Sequence, residues 1–322
     1  MEFTLGTGRN AEVLIELVSS DVGYAPGLPI SAKMKECGAH SWFYGRSTNE
    51  QDILIIGLGK RDRFNLEILR EAAGNAGRAI RELGRTTAAV NPDCLQDVFG
   101  SEIWPQDAVT AWVEGWQLGT YVFDKYKSAE KQPQVEWVEI GAEQRDYAAA
   151  IELGRLRAAS TSLARDLCNE AANDLHPGAF VARIQQIFAG QNVKIHVYEG
   201  EELKQRQMNG LLAVGAGSKH PPAMVEITYL GDPEAEHLAL IGKGITFDMG
   251  GMNLKAARDL SDARFDMGGA AAVIGAMDLL TRLEVKARIS AIIPIAENVP
   301  DGAGPSCLPA SFVIRTVLRY KW

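Results

Sequence analysis

Gly242-Lys-Gly-Ile-Thr-Phe-Asp-Met-Gly-Gly-Met-Asn-Leu-Lys255, followed by Arg264-Phe-Asp-Met-Gly-Gly-Ala-Ala-Ala272, is the stretch on which the reading of this chain turns. It comes directly after a short apolar run, Leu238 to Ile241, of strand length. A strand there delivers the loop to the carboxyl edge of a sheet, where open α/β folds bind their ligands. Two lysines and two aspartates, Lys243, Asp248, Lys255 and Asp266, fall within 24 residues. Each lies near glycines, which let backbone come close to a bound group. Taken singly, each has a plain structural role. Lys243 reads as an exposed turn lysine, Asp248 as the start of a turn, Asp266 as a helix N-cap and Lys255 as a solvated charge. Their coincidence points instead to one shared site.

Outward from this stretch, strand and helix patterns alternate. Upstream, Glu12 to Val18 reads as a strand, and Asp52 to Gly59 (DILIIGLG) as a buried parallel strand ending in glycine. Leu66, Leu69, Ala73, Ala76, Ile80 and Leu83 recur at helical spacing and form one apolar stripe. A second apolar segment runs from Ala108 to Thr120, and Val135 and Trp137 alternate like a half-buried strand. A long helix is predicted from about Arg145 to Cys168, as a connector. Beyond it, a helix opens at Pro177, where proline suits a first turn. Val193, Ile195 and Val197 alternate as a strand. Further strands are predicted at Met224 to Tyr229, Leu238 to Ile241 and Arg288 to Ile295, with a small-residue helix from Ala270 to Arg282. Such alternation predicts an α/β fold with a mixed, largely parallel sheet. The expected organisation is an α/β domain over residues 1–140, a linking helix over 141–168, a second α/β domain over 169–302 and a tail over 303–322.

Bulk properties exclude several classes. The chain has 322 residues, 46% of them hydrophobic and 23% charged, an ordinary globular composition. Its net charge of −8 and the lack of a long basic run argue against a nucleic-acid partner. Cys37, Cys94, Cys168 and Cys307 form no C-x-x-C pair, which argues against a zinc ribbon or a disulfide framework and fits a reducing cytosol. The amino terminus does not read as a signal peptide, and the apolar runs are too short for a bilayer, so no membrane partner is expected. His40, His176, His196, His220 and His237 show no ligand spacing and read as surface or satisfied core residues. Serine-hydrolase and HExxH signatures are absent.

The Lys243 to Asp266 segment resembles the active-site signature of the leucine (cytosol) aminopeptidases, with the spacing of its two lysines and two aspartates matched without a gap. The resemblance extends to Gly57-Leu-Gly-Lys60, Glu114-Gly-Trp-Gln-Leu-Gly119, Phe123-Asp-Lys-Tyr-Lys127, Arg165-Asp-Leu-Cys-Asn-Glu170, Gly210-Leu-Leu-Ala-Val-Gly215, Ser218 and Pro221-Pro222. It implies a macro-like amino-terminal domain, a linking helix and an incomplete α/β metallopeptidase domain. The implied cofactors are two divalent metal ions, Mn or Zn, and the implied substrates are peptides with a free N-terminus. The family assembles as a homo-hexamer. By resemblance, Lys243 is a metal ligand through a neutral amine, which takes metal and burial to achieve. Asp248 bridges two metals, Asp266 ligates the second, and Lys255 is the catalytic cation that polarises the scissile carbonyl.

Four departures stand out. Met249 replaces the usual Ser or Thr, and Ala263 replaces a pocket methionine. Asn169-Glu-Ala-Ala-Asn173 carries alanine in place of proline. The family continues past Ala296-Glu-Asn-Val-Pro300 into an Asn-Thr-Asp-Ala-Glu-Gly-Arg motif that supplies further ligands and an arginine, and no such motif occurs here. Residues 303–322 match nothing in the family pattern and are expected to be a non-native tail from a shifted frame or a premature stop. Three functional readings follow. One is a metal-dependent aminopeptidase by lineage. Another is an inactive truncated remnant or a non-catalytic, oligomer-associating subunit. The last is a nucleotide-binding protein, prompted by Gly57-Leu-Gly59 and Gly215-Ala-Gly217, neither of which completes a GxGxxG.

Overall fold

The computed structural model describes residues 1–6, 8, 10–21, 28–47, 50–90, 104–128, 134–141, 147–251, 254–255 and 260–300. The expected tail over 303–322, with Cys307, and also Cys94 lie outside these residues. The chain forms two compact units, Met1–Ala159 and Ser160–Trp322. The division falls inside the helix Ala148–Asn169.

In the first unit a six-stranded sheet runs in the order β1-β6-β5-β2-β4-β3. The strands are β1 (Glu2–Gly6), β2 (Val13–Val18), β3 (His40–Phe43), β4 (Asp52–Gly57), β5 (Thr87–Val90) and β6 (Trp137–Gly141). All neighbours are parallel except β3, which runs antiparallel to β4 along the sheet's margin. The uninterrupted apolar run of β4 suits its inner position, buried against structure on both faces. Helix α1 (Leu66–Glu82) begins at Asn65, whose side chain accepts from the Glu67 and Ile68 amides. Its buried face holds Leu69, Ala72, Ala73, Ala76 and Ile80, the stripe read from the sequence. Helix α2 (Pro105–Gly119) packs along α1. Glycines make that approach close: a Cβ on Gly115 would overlap the Arg70 backbone, and one on Gly119 would overlap Gly74. Short strands β1, β3 and β5 were not anticipated.

Helix α3 (Ala148–Asn169) leads into the second unit, where α4 (Pro177–Ile187) follows. The second sheet contains β7 (Val193–Glu199), β8 (Ala223–Leu230), β9 (His237–Ile241), β10 (Gly244–Asp248) and β11 (Arg288–Asn298). Its parallel character is smaller than expected. β8 is antiparallel to β11, β7 is antiparallel to β8, and only β9 and β10 run parallel to β11. Between β7 and β8 lie the short helices α5 (Glu201–Gln205) and α6 (Asn209–Gly215), and the chain turns back there instead of crossing over.

β9 and β10 lie in succession along one side of β11, β9 against Arg288–Ile292 and β10 against Ile295–Asn298. Gly242 and Lys243 join them, and the Gly242 amide donates to the Ile292 carbonyl at 3.0 Å. The segment expected to be a loop from Gly242 onward therefore starts as sheet. After a short helix α7 (Leu260–Ala263) comes α8 (Gly268–Arg282), and α3, α4 and α8 contribute to one core with β8 and β11, including Leu167, Phe180, Ile184, Ile274, Met277, Ile289 and Ile293. Within it Asp278, only 1% exposed, accepts from Ser160 Oγ at 2.7 Å, Gln191 Nε2 at 3.0 Å and Arg282 Nε at 2.9 Å.

Candidate functional site

β10 ends on Asp248, beside the end of β11 at Asn298. Asp248 Oδ1 accepts from Asn298 Nδ2 at 2.7 Å and from the Gly250 amide at 3.0 Å. Asp248 Oδ2 is paired with Lys255 Nζ. The turn after Asp248 depends on Gly250 and Gly251, whose φ angles of 86° and 60° lie in the left-handed region open to glycine. The Asn298 carbonyl accepts from the Met249 amide at 3.0 Å and the Gly251 amide at 3.3 Å, and the Lys255 amide closes back on the Met249 carbonyl at 3.1 Å. Burial alone raises the Asp248 pKa, but hydrogen bonds from Lys255, Asn298 and Gly250, with the Lys255 charge, outweigh it. The carboxyl is held below its usual range.

Asp266 sits in a tight 3₁₀ turn, Arg264–Met267, just before α8, and this turn packs against β10. It is not the helix N-cap, as its plain reading had it; Met267 holds that position and no side chain caps it. Asp266 Oδ2 lies 2.6 Å from Lys243 Nζ. That oxygen is shut off from solvent and receives no hydrogen bond of good geometry, even from the nearby lysine. The approach of α8 is set by glycine as well: a Cβ on Gly242 would stand 2.7 Å from Ala270 Cα, and the Ala270 amide donates to the Lys243 carbonyl at 2.9 Å.

The four sequence-predicted residues thus form two lysine–aspartate pairs, one at the end of β10 and one between its start and the turn before α8. The donors are two carboxylates and two amines. Two features fit a divalent cation: a buried carboxylate oxygen without a hydrogen bond, and carboxylates neutralised only by lysines. Two features limit the fit. The Lys243 side chain is 59% exposed, not buried as a neutral amine ligand requires. No group of three or more His, Cys, Asp and Glu side chains suited to a metal ion occurs among the described residues.

The sequence reading missed three neighbours of this site. Asn298 holds Asp248, yet lies 50 residues away from it. His176 and His220 stack with ring centroids 4.1 Å apart and planes 10° from parallel. Both line a cavity of about 740 Å³ with Phe247, Arg264 and Glu297. Only the fold could reveal that pairing, because 44 residues separate the two histidines. Of the replacements, Ala263 is fully buried and Met249 partly so.

Residues 162–307 match the cytosol aminopeptidase family's catalytic domain, and residues 43–130 match the same family's N-terminal domain. The chain belongs to the cytosol aminopeptidase family. A "Probable cytosol aminopeptidase" of Clostridium perfringens is 33% identical over 262 residues, covering 79% of this chain and 52% of the relative. One of the same name from Geotalea uraniireducens is 35% identical over 258 residues, covering 78% and 51%. Among solved structures, "Bottromycin maturation enzyme BotP in complex with Mn" superposes with a TM-score of 0.77 at 32% identity, covering 91% of this chain and 61% of that one. The chain therefore spans about half the length of the curated cytosol aminopeptidases it matches. The family match covers both its N-terminal and its catalytic domain, and each falls on one of the two α/β units. No helix among the described residues is long and apolar enough to cross a membrane.

Proposed function

We propose that Lys243, Asp248 and Asp266 are one part of the dinuclear metal centre of a cytosolic leucyl-type aminopeptidase, and that Lys255 is its catalytic cation. The observation that carries this reading is the pair of lysine–aspartate contacts along β10, one of them at a buried carboxylate oxygen that no hydrogen bond satisfies. In this reading Asp248, aimed by Asn298 and the Gly250 amide, would be a carboxylate ligand, and Asp266 and Lys243 would be the others. Lys255, anchored by its own amide to the Met249 carbonyl, presents an ammonium that can polarise a scissile carbonyl. The ions, Mn or Zn, supply a bound water of lowered pKa and an anchor for the free amine of a peptide. Peptides with a free N-terminus are the substrates, and the homo-hexamer is the family's assembly.

Three side chains are few for two ions, since a catalytic zinc has about three protein ligands. The 322-residue chain alone is therefore expected to retain metal weakly and to turn over Leu-p-nitroanilide orders of magnitude more slowly than a full-length relative. The lack of a larger carboxylate–histidine group among the described residues favours a second reading, a non-catalytic subunit that associates with other chains. Equilibrium Mn or Zn uptake, titrated without a desalting step, separates the readings. The first requires more metal in the native chain than in the Asp248→Asn, Asp266→Asn double variant. Equal metal in both removes it.

A further inference from the structure

His176 and His220 are held by different parts of the second unit. His176 stands at the N-cap of α4, and its Nδ1 accepts from the Ala179 amide at 3.4 Å. His220 belongs to the loop that leads into β8. Its amide donates to Ser218 Oγ at 3.0 Å, and Ser218 Oγ donates to Glu297 Oε2 near the end of β11. Gly217 sets this loop close on the same strand end: a Cβ there would stand 2.5 Å from the Val299 carbonyl oxygen. One ring thus rides on a helix start and the other on a loop tied to β11. Their faces meet with centroids 4.1 Å apart and planes 10° from parallel. The pair forms part of the wall of the cavity at the carboxyl ends of β10 and β11.

Both contacts of His176 call for a neutral ring. An Nδ1 that accepts an amide N–H carries its lone pair, so the ring proton sits on Nε2. An imidazolium would set an Nδ1–H against the Ala179 N–H, at the positive end of the helix dipole. It would also lie face to face with a second ring that titrates in the same range. The charged side chains around the pair are Lys219 beside it, Arg264 from the turn before α8 and Glu297 from β11. Burial, then His220, hold the His176 pKa below the ordinary histidine range; Glu297 pulls the other way and Lys219 adds to the lowering. The apolar face of α4 is buried through Phe180, Val181 and Ile184, so loss of the cap loosens the helix start and leaves its packing in place.

We propose that the His176–His220 stack is an acid-released clasp. At neutral pH it fastens the start of α4 to the Ser218–Pro222 loop, and on protonation of His176 it lets the two segments part and opens that stretch of the cavity wall. The clasp uses none of the four metal-type residues and does not rest on the function proposed above. Linkage fixes its direction. A free histidine titrates near pH 6.5, and the clasped ring takes its proton only at lower pH. Between the two, the open state holds more protons, so the clasp is whole above about pH 6.5 and weakens as pH falls.

The test is hydrogen exchange of the full chain, read by mass spectrometry at about pH 8 and about pH 6 and corrected for the intrinsic effect of pH. A free ring is roughly three-quarters protonated at about pH 6, so excluding the proton from the clasped ring favours opening by up to about fourfold there. Corrected exchange is expected to rise about two- to fourfold in peptides over the start of α4 and over the Ser218–Pro222 loop, and to stay unchanged over β8 and β11. His176→Asn keeps a side chain that caps helices and cannot titrate, and it should abolish the response. His220→Phe keeps a flat ring without the charge and should shrink it. Nitrogen-15 spectra of the histidine rings provide a second readout, with His176 Nδ1 unprotonated at neutral pH. No acid response in the native chain, one spread evenly over the second unit, or one that persists in His176→Asn would overturn the clasp. So would an undiminished response in His220→Phe, or an Nδ1 that carries the proton at neutral pH.

Discussion

Asp248 illustrates how a carboxylate is aimed. Its own strand delivers it, but Asn298 Nδ2 at 2.7 Å and the Gly250 amide fix the orientation of Oδ1. Groups that orient metal ligands commonly change affinity by about 10- to 100-fold when removed. Asn298→Ala is therefore expected to weaken Mn binding at least about tenfold, measured by competition with a fluorescent chelator, while the far-ultraviolet circular dichroism stays native. Unchanged affinity would mean that Asn298 only closes the sheet. Asp278 is the structural counterpart. It is buried and hydrogen-bonded through both oxygens, and Asp278→Ala would take this acceptor from the buried Ser160 hydroxyl, while Gln191 Nε2 keeps the Ile187 carbonyl. A loss of about 1–3 kcal/mol per buried polar group left unsatisfied is expected from urea unfolding. At this scale the sequence was legible where residues are near in the chain: Lys243, Asp248, Lys255 and Asp266 stand out together within 24 residues, and their roles come only through the family resemblance. Asn298 and the two stacked histidines were not, because their meaning depends on partners 44 to 50 residues away.

Among the elements, helices and long apolar strands were legible, and brief or edge strands were not. The stripe of α1 and the run of β4 carry their periodicity in the residues themselves. β10 hid behind its glycines, which read as loop, yet Gly244 is where close packing against β11 is needed: a Cβ there would stand 2.7 Å from the Pro294 carbonyl oxygen. The α1–α2 contact is also a glycine contact. Gly115→Ala is expected to cost about 1–3 kcal/mol through overpacking against Arg70, and Gly84→Thr, at a position open on all sides, offers a strain-only control for glycine loss. Equal destabilisation by both would show that helix approach is not the cause. Between β7 and β8, burial, then the hydrogen bond to Glu226, push the Tyr198 hydroxyl up to about 12. The unfolded tyrosine loses its proton near pH 10, about two units earlier. From about pH 10 to 12 the native state holds more protons than the unfolded one, so stability falls as pH rises through that window. Tyr198→Phe should flatten this fall in a series of urea titrations. An unchanged slope would remove Tyr198 as its source.

For the molecule as a whole, two α/β units joined through a long helix could be read from alternation, whereas the direction of the second sheet could not. Periodicity marks β7, β8 and β11 as strands but does not say whether the chain crosses over or turns back between β7 and β8, and residues 200–222 are long enough for either. A second feature lies at the opposite side of that sheet. β9 pairs with β11 and with no other strand among the described residues. It also carries apolar residues outward, with Leu238 51% and Ile241 72% exposed. An unpaired strand edge with apolar side chains is a template for another strand, and native proteins usually cover or charge such edges. The matched relatives are about twice as long, so their additional chain is one candidate cover; a second copy of this chain is the other available in a purified sample. Leu238→Lys places a charge on that edge and replaces none of the four candidate site residues. It should lower the self-association of the 322-residue chain, read by light scattering on a size-exclusion column. As a surface substitution it should move the unfolding free energy by no more than about 0.5 kcal/mol. Should association persist unchanged in Leu238→Lys and in Ile241→Lys, β9 is not the adhesive surface, and the amino-terminal sheet margin at β3, with its stacked Trp42 and Tyr44, becomes the next to test.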